Sequence, residues 1–193
     1  MRRRKIGDLY CAKVPGGYKL FQFAYRIPKD GSYFRVFGGL YEKIPEDLTS
    51  IVEGPHSYII SIGTGFFKSR MVSFLSNFPV PEKYPYPKFR LKFWMNQWGE
   101  IFCIWLTPND KSATGSLNKL SFDVTAMKDL PEEYREIKLL SSYVTPIWLV
   151  YLFDCDFDLN DLNRFWPQTV FGDSWESKME EYTKLFEESL PKQ

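Results

Sequence analysis

Residues 8–43 read DLYCAKVPGGYKLFQFAYRIPKDGSYFRVFGGLYEK, and their pattern decides the fold class. Three runs rich in aromatic and apolar residues, 8–14, 18–27 and 33–43, are separated by turn chemistry. In YKLFQFAYRI polar and apolar positions alternate, which places every second side chain on one face of a strand. PGGY offers Gly16 or Gly17 for a positive φ, and PKDGS carries Asp-Gly at its centre. Gly38-Gly39 inside the third run predicts a bulge or a sharp bend. Outward from this block, HSYIISIGT (56–64), FRLKFWMN (89–96) and EIFCIWLTP (100–108) read as further strands, the last two joined near Gln97 to Gly99. Short strands, tight turns and a glycine pair at a corner predict a small SH3-like barrel or a strongly curled antiparallel sheet.

Helices are expected mainly in the second half. DLPEEYREIKLL (129–140) has Asp129 to cap it, Pro131 in its first turn and Tyr134, Ile137 and Leu140 on one face. TPIWLVYLF (145–153) is a continuous apolar run of strand length, which predicts a central strand buried on both faces. Near the end, Asp173 and Glu176 form a D-x-x-E capping pair, and Trp175, Met179, Tyr182, Phe186 and Leu190 recur at helical steps. Their stripe is expected to pack on the body of the fold. The class is α+β, a single domain over 1–193 with a β-rich body to about residue 125 and a mixed helical and strand extension from about 126.

Composition bounds the function. The chain has 193 residues, 44% hydrophobic and 18% aromatic, enough for one sizeable core and too aromatic for disorder. Twenty-five Lys and Arg against 24 Asp and Glu leave a net charge of +1, neither the basic excess of most nucleic-acid binders nor the acidity of a DNA mimic. Cys11, Cys103 and Cys155 are far apart and odd in number, which argues for buried thiols rather than a disulfide framework or a zinc site. No apolar region follows the basic start MRRRKIGD, so no signal peptide is expected. The longest apolar run, IWLVYLF, falls far short of the roughly 20 residues that span a bilayer. A soluble cytoplasmic protein is the expectation.

The familiar catalytic patterns are missing. His56, the only histidine, has no Cys, Asp or Glu at a telling spacing, so a structural or surface histidine is expected. GTGFFKS (63–69) places Gly63 and Gly65 too close together for a phosphate loop and reads as a bent strand end followed by a turn. In DCDFDLND (154–161), Asp154, Asp156 and Asp158 match positions 1, 3 and 5 of a calcium loop. Leu159 then stands where Gly is required and Phe165 where a bidentate Glu belongs. In an extended segment the three carboxylates share one face, with Cys155 and Phe157 on the other. Such a cluster suits a solvated exit that caps the next short helix, or a surface for a basic partner. Trp94, Trp98 and Trp105 with Arg90 and Lys92 suit either core packing or a stacking platform for single-stranded nucleic acid. No catalytic residue, metal ligand or cofactor is expected.

NFPVPEKYPYPKFR (77–90) has four prolines, none three residues from another, so it lacks the register of a polyproline ligand. Its aromatics argue for an ordered, extended connector. This stretch and the chain's opening carry a resemblance. KIGDLYCAKVPGGYKLFQF (5–23) resembles the K-x-G-D start of a bacterial polymorphic-toxin immunity family, immunity protein twenty-six. MVSFLSNFPVPEKYPYPKF (71–89) resembles that family's proline-rich segment, and LKFWMNQWGEIFCIWL (91–106) its following strand pair. Met71 stands where a Trp is common, and Leu75-Ser76 replaces an Ile-Gly pair. The likeness covers roughly residues 5–106.

The resemblance implies a small non-catalytic protein that protects the producing cell by binding a cognate toxin domain. Asp154, Asp156, Asp158 and Asp161 are the candidate contact residues, suited to the basic active site of a nuclease. A small-barrel module that reads a peptide or a nucleic acid is the alternative.

Overall fold

Pro15 and Gly16 form a two-residue turn between β1 (Asp8–Val14) and β2 (Gly17–Ile27), and the hairpin seeds the sheet. Of the two candidate glycines, Gly17 takes the positive φ, at 141°, and a Cβ there would meet the Tyr41 carbonyl oxygen at 2.6 Å. The computed structural model describes residues 3–27, 31–85, 89–95, 101–108, 120–122, 139–140 and 144–192. The hairpin is extended by β3 (Gly31–Val36), β4 (Tyr58–Ser61) and β5 (Val72–Asn77), giving an antiparallel sheet of order β5-β1-β2-β3-β4. Beyond β4 the order continues through β9 (Leu139–Leu140), β6 (Phe89–Met95), β7 (Ile101–Pro108) and β8 (Leu120–Phe122), with β9 parallel to both neighbours.

Of the two forms expected from the sequence, a small barrel or a curled antiparallel sheet, the barrel does not form. β5 and β8 end the sheet on either side, and no pairing joins them among the described residues. The physical reason lies in what fills the inner face. Tyr10, Phe21, Phe23, Phe34, Val36, Tyr58 and Ile60 share one core with helical residues 149–153, 182 and 186. A helix occupies the space that the far wall of a barrel would enclose.

That helix is α2 (Pro146–Asp154), and it corrects the strand expected over 145–153. The Thr145 hydroxyl accepts the Trp148 N–H at 3.3 Å, and Pro146 sits in the first turn, where its missing N–H leaves no bond unmade. Leu149 to Phe153 are all fully buried. A helix buried all round shows no amphipathic period, so its sequence looks like a two-sided strand. Of the helix expected over 129–140, only Leu139 and Leu140 are described, and they form β9; the rest lies outside the described residues.

α4 (Trp175–Ser189) matches the helix expected near the end, after α3 (Pro167–Phe171). Tyr182 and Phe186 are buried, and Met179, Leu185 and Leu190 pack on the same core. The capping pair does not form. Asp173 lies in a 3-10 turn, and Ser174 is the N-cap without a side-chain cap bond. Of the bulge or sharp bend expected at Gly38-Gly39, the bend forms, just after β3 ends at Val36 and with Gly39 at φ 81°. The register irregularity falls in β2, between Phe23 and Tyr25.

The opposite face of the sheet carries Leu9, Cys11, Leu20 and Phe37, covered by Val52 of α1 (Leu48–Glu53) and by Phe78. Neither α1 nor β5 is visible in the strand pattern. The Asp47 carboxylate, which accepts the Ser50 N–H at 3.0 Å, is the local signal for α1. No helix among the described residues is long and apolar enough to cross a membrane.

Because α2 has no solvent side, Leu149→Ala should cost about 2–5 kcal/mol in urea unfolding. Val170→Ala, at a 36% exposed position, should stay within about 0.5 kcal/mol of wild type. Equal effects at the two positions would refute the buried placement of α2.

Candidate partner-binding site

The four aspartates singled out from sequence follow the end of α2, and the structure gives them different environments. Cys155 ends the helix and Asp156 takes the left-handed conformation, φ 49°. The Phe157 N–H returns to the Leu152 carbonyl at 3.0 Å and the Asp156 N–H to Phe153 at 3.2 Å. This is a Schellman stop in which Asp occupies the position usually given to Gly, and the two residues it joins, Phe157 and Leu152, are both fully buried in the same core. The segment is a helix stop rather than an extended exit. Its burial alternates nonetheless, with Cys155, Phe157 and Leu159 inside and the aspartates half-buried.

Two of the four are committed to the fold. Asp154 accepts the Gly16 N–H at 2.6 Å and the Tyr182 hydroxyl at 2.7 Å, tying the β1–β2 turn to α4 through the end of α2. Asp156 forms an ion pair with Lys19, whose side chain is fully buried, and accepts the Gly39 N–H at 3.1 Å. Burial pulls the Lys19 ammonium below its usual pKa while Asp156 pushes it back up. The carboxylate thus explains the unusual residue at the helix stop, since Gly would suit the backbone but leave Lys19 alone.

Asp158 accepts both the backbone N–H and the side-chain amide of Asn160, at 2.7 and 2.6 Å, closing a local turn. Asp161 is exposed, and its carbonyl accepts the Arg164 N–H at 3.1 Å at the start of a 3-10 turn over Leu162–Phe165. A recess of about 270 Å³ lies beside Asp154, lined by Pro15, Lys178, Glu181, Tyr182 and Leu185. Lys178 and Glu181, one turn apart on α4, pair at 2.8 Å along the wall of the recess. Among the described residues, no group of three or more His, Cys, Asp or Glu could hold a metal ion.

The other sequence candidates are structural. His56 is 8% exposed; its Nδ1 accepts Arg35 Nε–H at 3.2 Å and its ring meets Tyr84 edge-on. Phe66, within the glycine-bearing stretch, is buried against Phe21, Phe153 and Phe186. The side chains of Trp94, Trp98 and Trp105 lie outside what is described.

A polar network missed in the sequence runs beneath the second face of the sheet. Gly7 has φ 95°, and a Cβ on it would meet the Phe78 carbonyl oxygen at 2.4 Å, so only glycine fits. The Phe78 N–H donates to Gly7 at 3.0 Å, and buried Asp8 accepts Tyr10 O–H and Asn77 Nδ2–H at 3.1 and 2.9 Å. Gln22 donates to the Phe78 carbonyl at 2.9 Å and accepts from Arg35 at 3.0 Å. Arg35, fully buried, also donates to the Val52 and Gly54 carbonyls at 3.2 and 3.0 Å, satisfying the end of α1, and stacks on Tyr84 at 4.2 Å. The proline stretch is therefore an ordered connector as far as Pro85. No protein-family model, curated protein or solved structure matches this chain.

Asp156→Asn should cost about 3 kcal/mol, the low end for breaking a buried pair because Asp156 keeps contact with water, whereas Asp158→Asn should cost under about 1 kcal/mol. Chemical denaturation of both variants checks the contrast. Burial pushes the Cys155 thiol up to about 11. The stability this neutral thiol contributes is complete below the ordinary thiol pKa and is lost as pH rises through about 11. Iodoacetamide at neutral pH should label Cys155 only after unfolding, as read by peptide mass mapping.

Proposed function

We propose that this chain is an immunity protein that neutralises a cognate toxin domain by direct, non-catalytic binding in the cytoplasm of the producing cell. The observation that carries the reading is the joining of the two segments on which the family resemblance rests. The K-x-G-D opening and the N-F-P stretch meet through Gly7, Asp8, Asn77 and Phe78. Their glycine, carboxylate and amide have one shared structural reason to occur together. The unpaired thiols of Cys11 and Cys155 accord with a reducing compartment.

Asp158 and Asp161 form the proposed contact surface. Asp154 and Asp156 hold the end of α2 in place and present it. A nuclease toxin, whose phosphate-binding site is basic, is the partner that these carboxylates fit. The recess beside Asp154 has room for one partner side chain.

Co-expression tests the reading. The C-terminal domain of the toxin polypeptide encoded beside this chain should kill alone and be harmless when this protein is present. Asp158→Asn/Asp161→Asn should keep its melting temperature and lose protection at least tenfold by colony count. Full protection by this folded double variant would remove Asp158 and Asp161 from the interface, and killing despite wild-type protein would refute the immunity function.

A further inference from the structure

Charge is unevenly spread along the chain. Residues 1–27 hold seven Lys or Arg and one acid, Asp8, which is buried. Arg4 lies 4.3 Å over the ring of Phe67, and Arg26 donates to the Arg4 carbonyl at 3.3 Å. Neither arginine forms an ion pair with a carboxylate among the described residues.

Other cations of this basic stretch lie by the outer strand of the sheet. β5, VSFLSN, has no charged residue and no proline, the two devices that commonly stop an edge strand from pairing with another chain. A bulge at Leu75 interrupts it and the Val72 N–H is given to the Ser69 carbonyl at 3.4 Å, which leaves the edge regular from the Val72 carbonyl to Phe74. Phe74 is 40% exposed on this stretch, and Ile6, 54% exposed, lies beyond the other end, where its carbonyl accepts Asn77 Nδ2–H at 3.2 Å. Exposed Lys13 and Arg70 sit at the start of β5, where the Lys13 N–H reaches the Met71 carbonyl at 2.9 Å. Lys5, next to Ile6, is exposed near its finish. An apolar centre with a polar rim is the anatomy of a protein interface.

We propose that the β5 edge docks an acidic, extended segment of a partner protein. Main-chain pairing runs from the Val72 carbonyl to Phe74, Phe74 is the anchor, and Lys13 with Arg70 gives the charge match. A second copy of this chain is a poor occupant. Antiparallel self-pairing would set Arg70 of one molecule towards the Lys5 end of the other, cation against cation. Nucleic acid would meet the charge but has no backbone to pair with the strand.

The partner's identity rests on the immunity function proposed above, so the probe is the toxin domain encoded beside this chain, made catalytically dead for titration. Lys13→Glu/Arg70→Glu should weaken its binding at least tenfold with an unchanged melting temperature, and wild-type binding should weaken as salt rises from 0.05 to 0.5 M by about the same factor. Should the reversal melt early, Lys13→Gln/Arg70→Gln replaces it, with a loss of at least threefold expected. Wild-type binding that neither pair of substitutions changes would overturn the edge and leave the immunity function standing. No wild-type binding at all would overturn both. A random-sequence DNA duplex bound by wild type and not by the reversal would make this a nucleic-acid surface. Sedimentation of a wild-type dimer that the reversal dissociates would make it a self-interface. Either result would overturn the proposal.

Discussion

A helix with no polar face must be surrounded, and α2 imposes that constraint on the rest of the molecule. Its five consecutive buried residues are covered by the aromatic face of the β1–β4 sheet on one side and by Tyr182 and Phe186 of α4 on the other. The sheet stays open because the helix fills its concavity, and α4 must be amphipathic because it is the outer layer. The residues that stop α2 then face the β1–β2 turn at close range. Ordinary helix termination would place a glycine there. Here a carboxylate takes the left-handed slot, because a fully buried lysine from the hairpin needs a counter-charge.

What could be read in the sequence follows from how local each signal is. α4 is legible because a half-buried helix prints its period on the chain, whereas β1 and β2, covered on both faces, are legible from their turn residues and from an alternation in β2 whose polar members Lys19 and Gln22 are themselves buried. α2 is not, since burial on all sides erases the period and leaves length as a poor guide. β5 has its apolar positions interrupted by a bulge, so no clean alternation exists to find. At the candidate site, the alternation of aspartates with apolar residues was visible, and their division of labour was not. Asp156 is distinguished from Asp158 by Lys19 and Gly39, 137 and 117 positions away in the chain. The two segments of the family resemblance could be seen separately, whereas their union through Gly7 and Phe78 depends on the β1–β5 pairing.

A near-zero net charge conceals two opposed surfaces. The end of α2 presents carboxylates, two of them spent on internal partners, while the β5 edge is bordered by cations that form no ion pair with an acid among the described residues. Arg35 shows a third arrangement, a buried cation held by helix-end carbonyls, an amide and two aromatic neighbours in place of a counter-ion. Exposed charge here is available for recognition, and buried charge serves architecture. Counting acids and bases in the chain does not separate the two.

The distance in sequence between the sheet and its covering helices has a consequence for synthesis. Strands β1 to β4 leave the ribosome complete by residue 61, with Phe21, Phe23, Phe34 and Tyr58 on a face that nothing yet covers. α2 begins only at Pro146. At about 5–20 residues per second, the aromatic face waits several seconds for its cover. Over that interval the nascent chain is a natural client for a chaperone, and its vulnerability to aggregation is set by translation speed through residues 62–145.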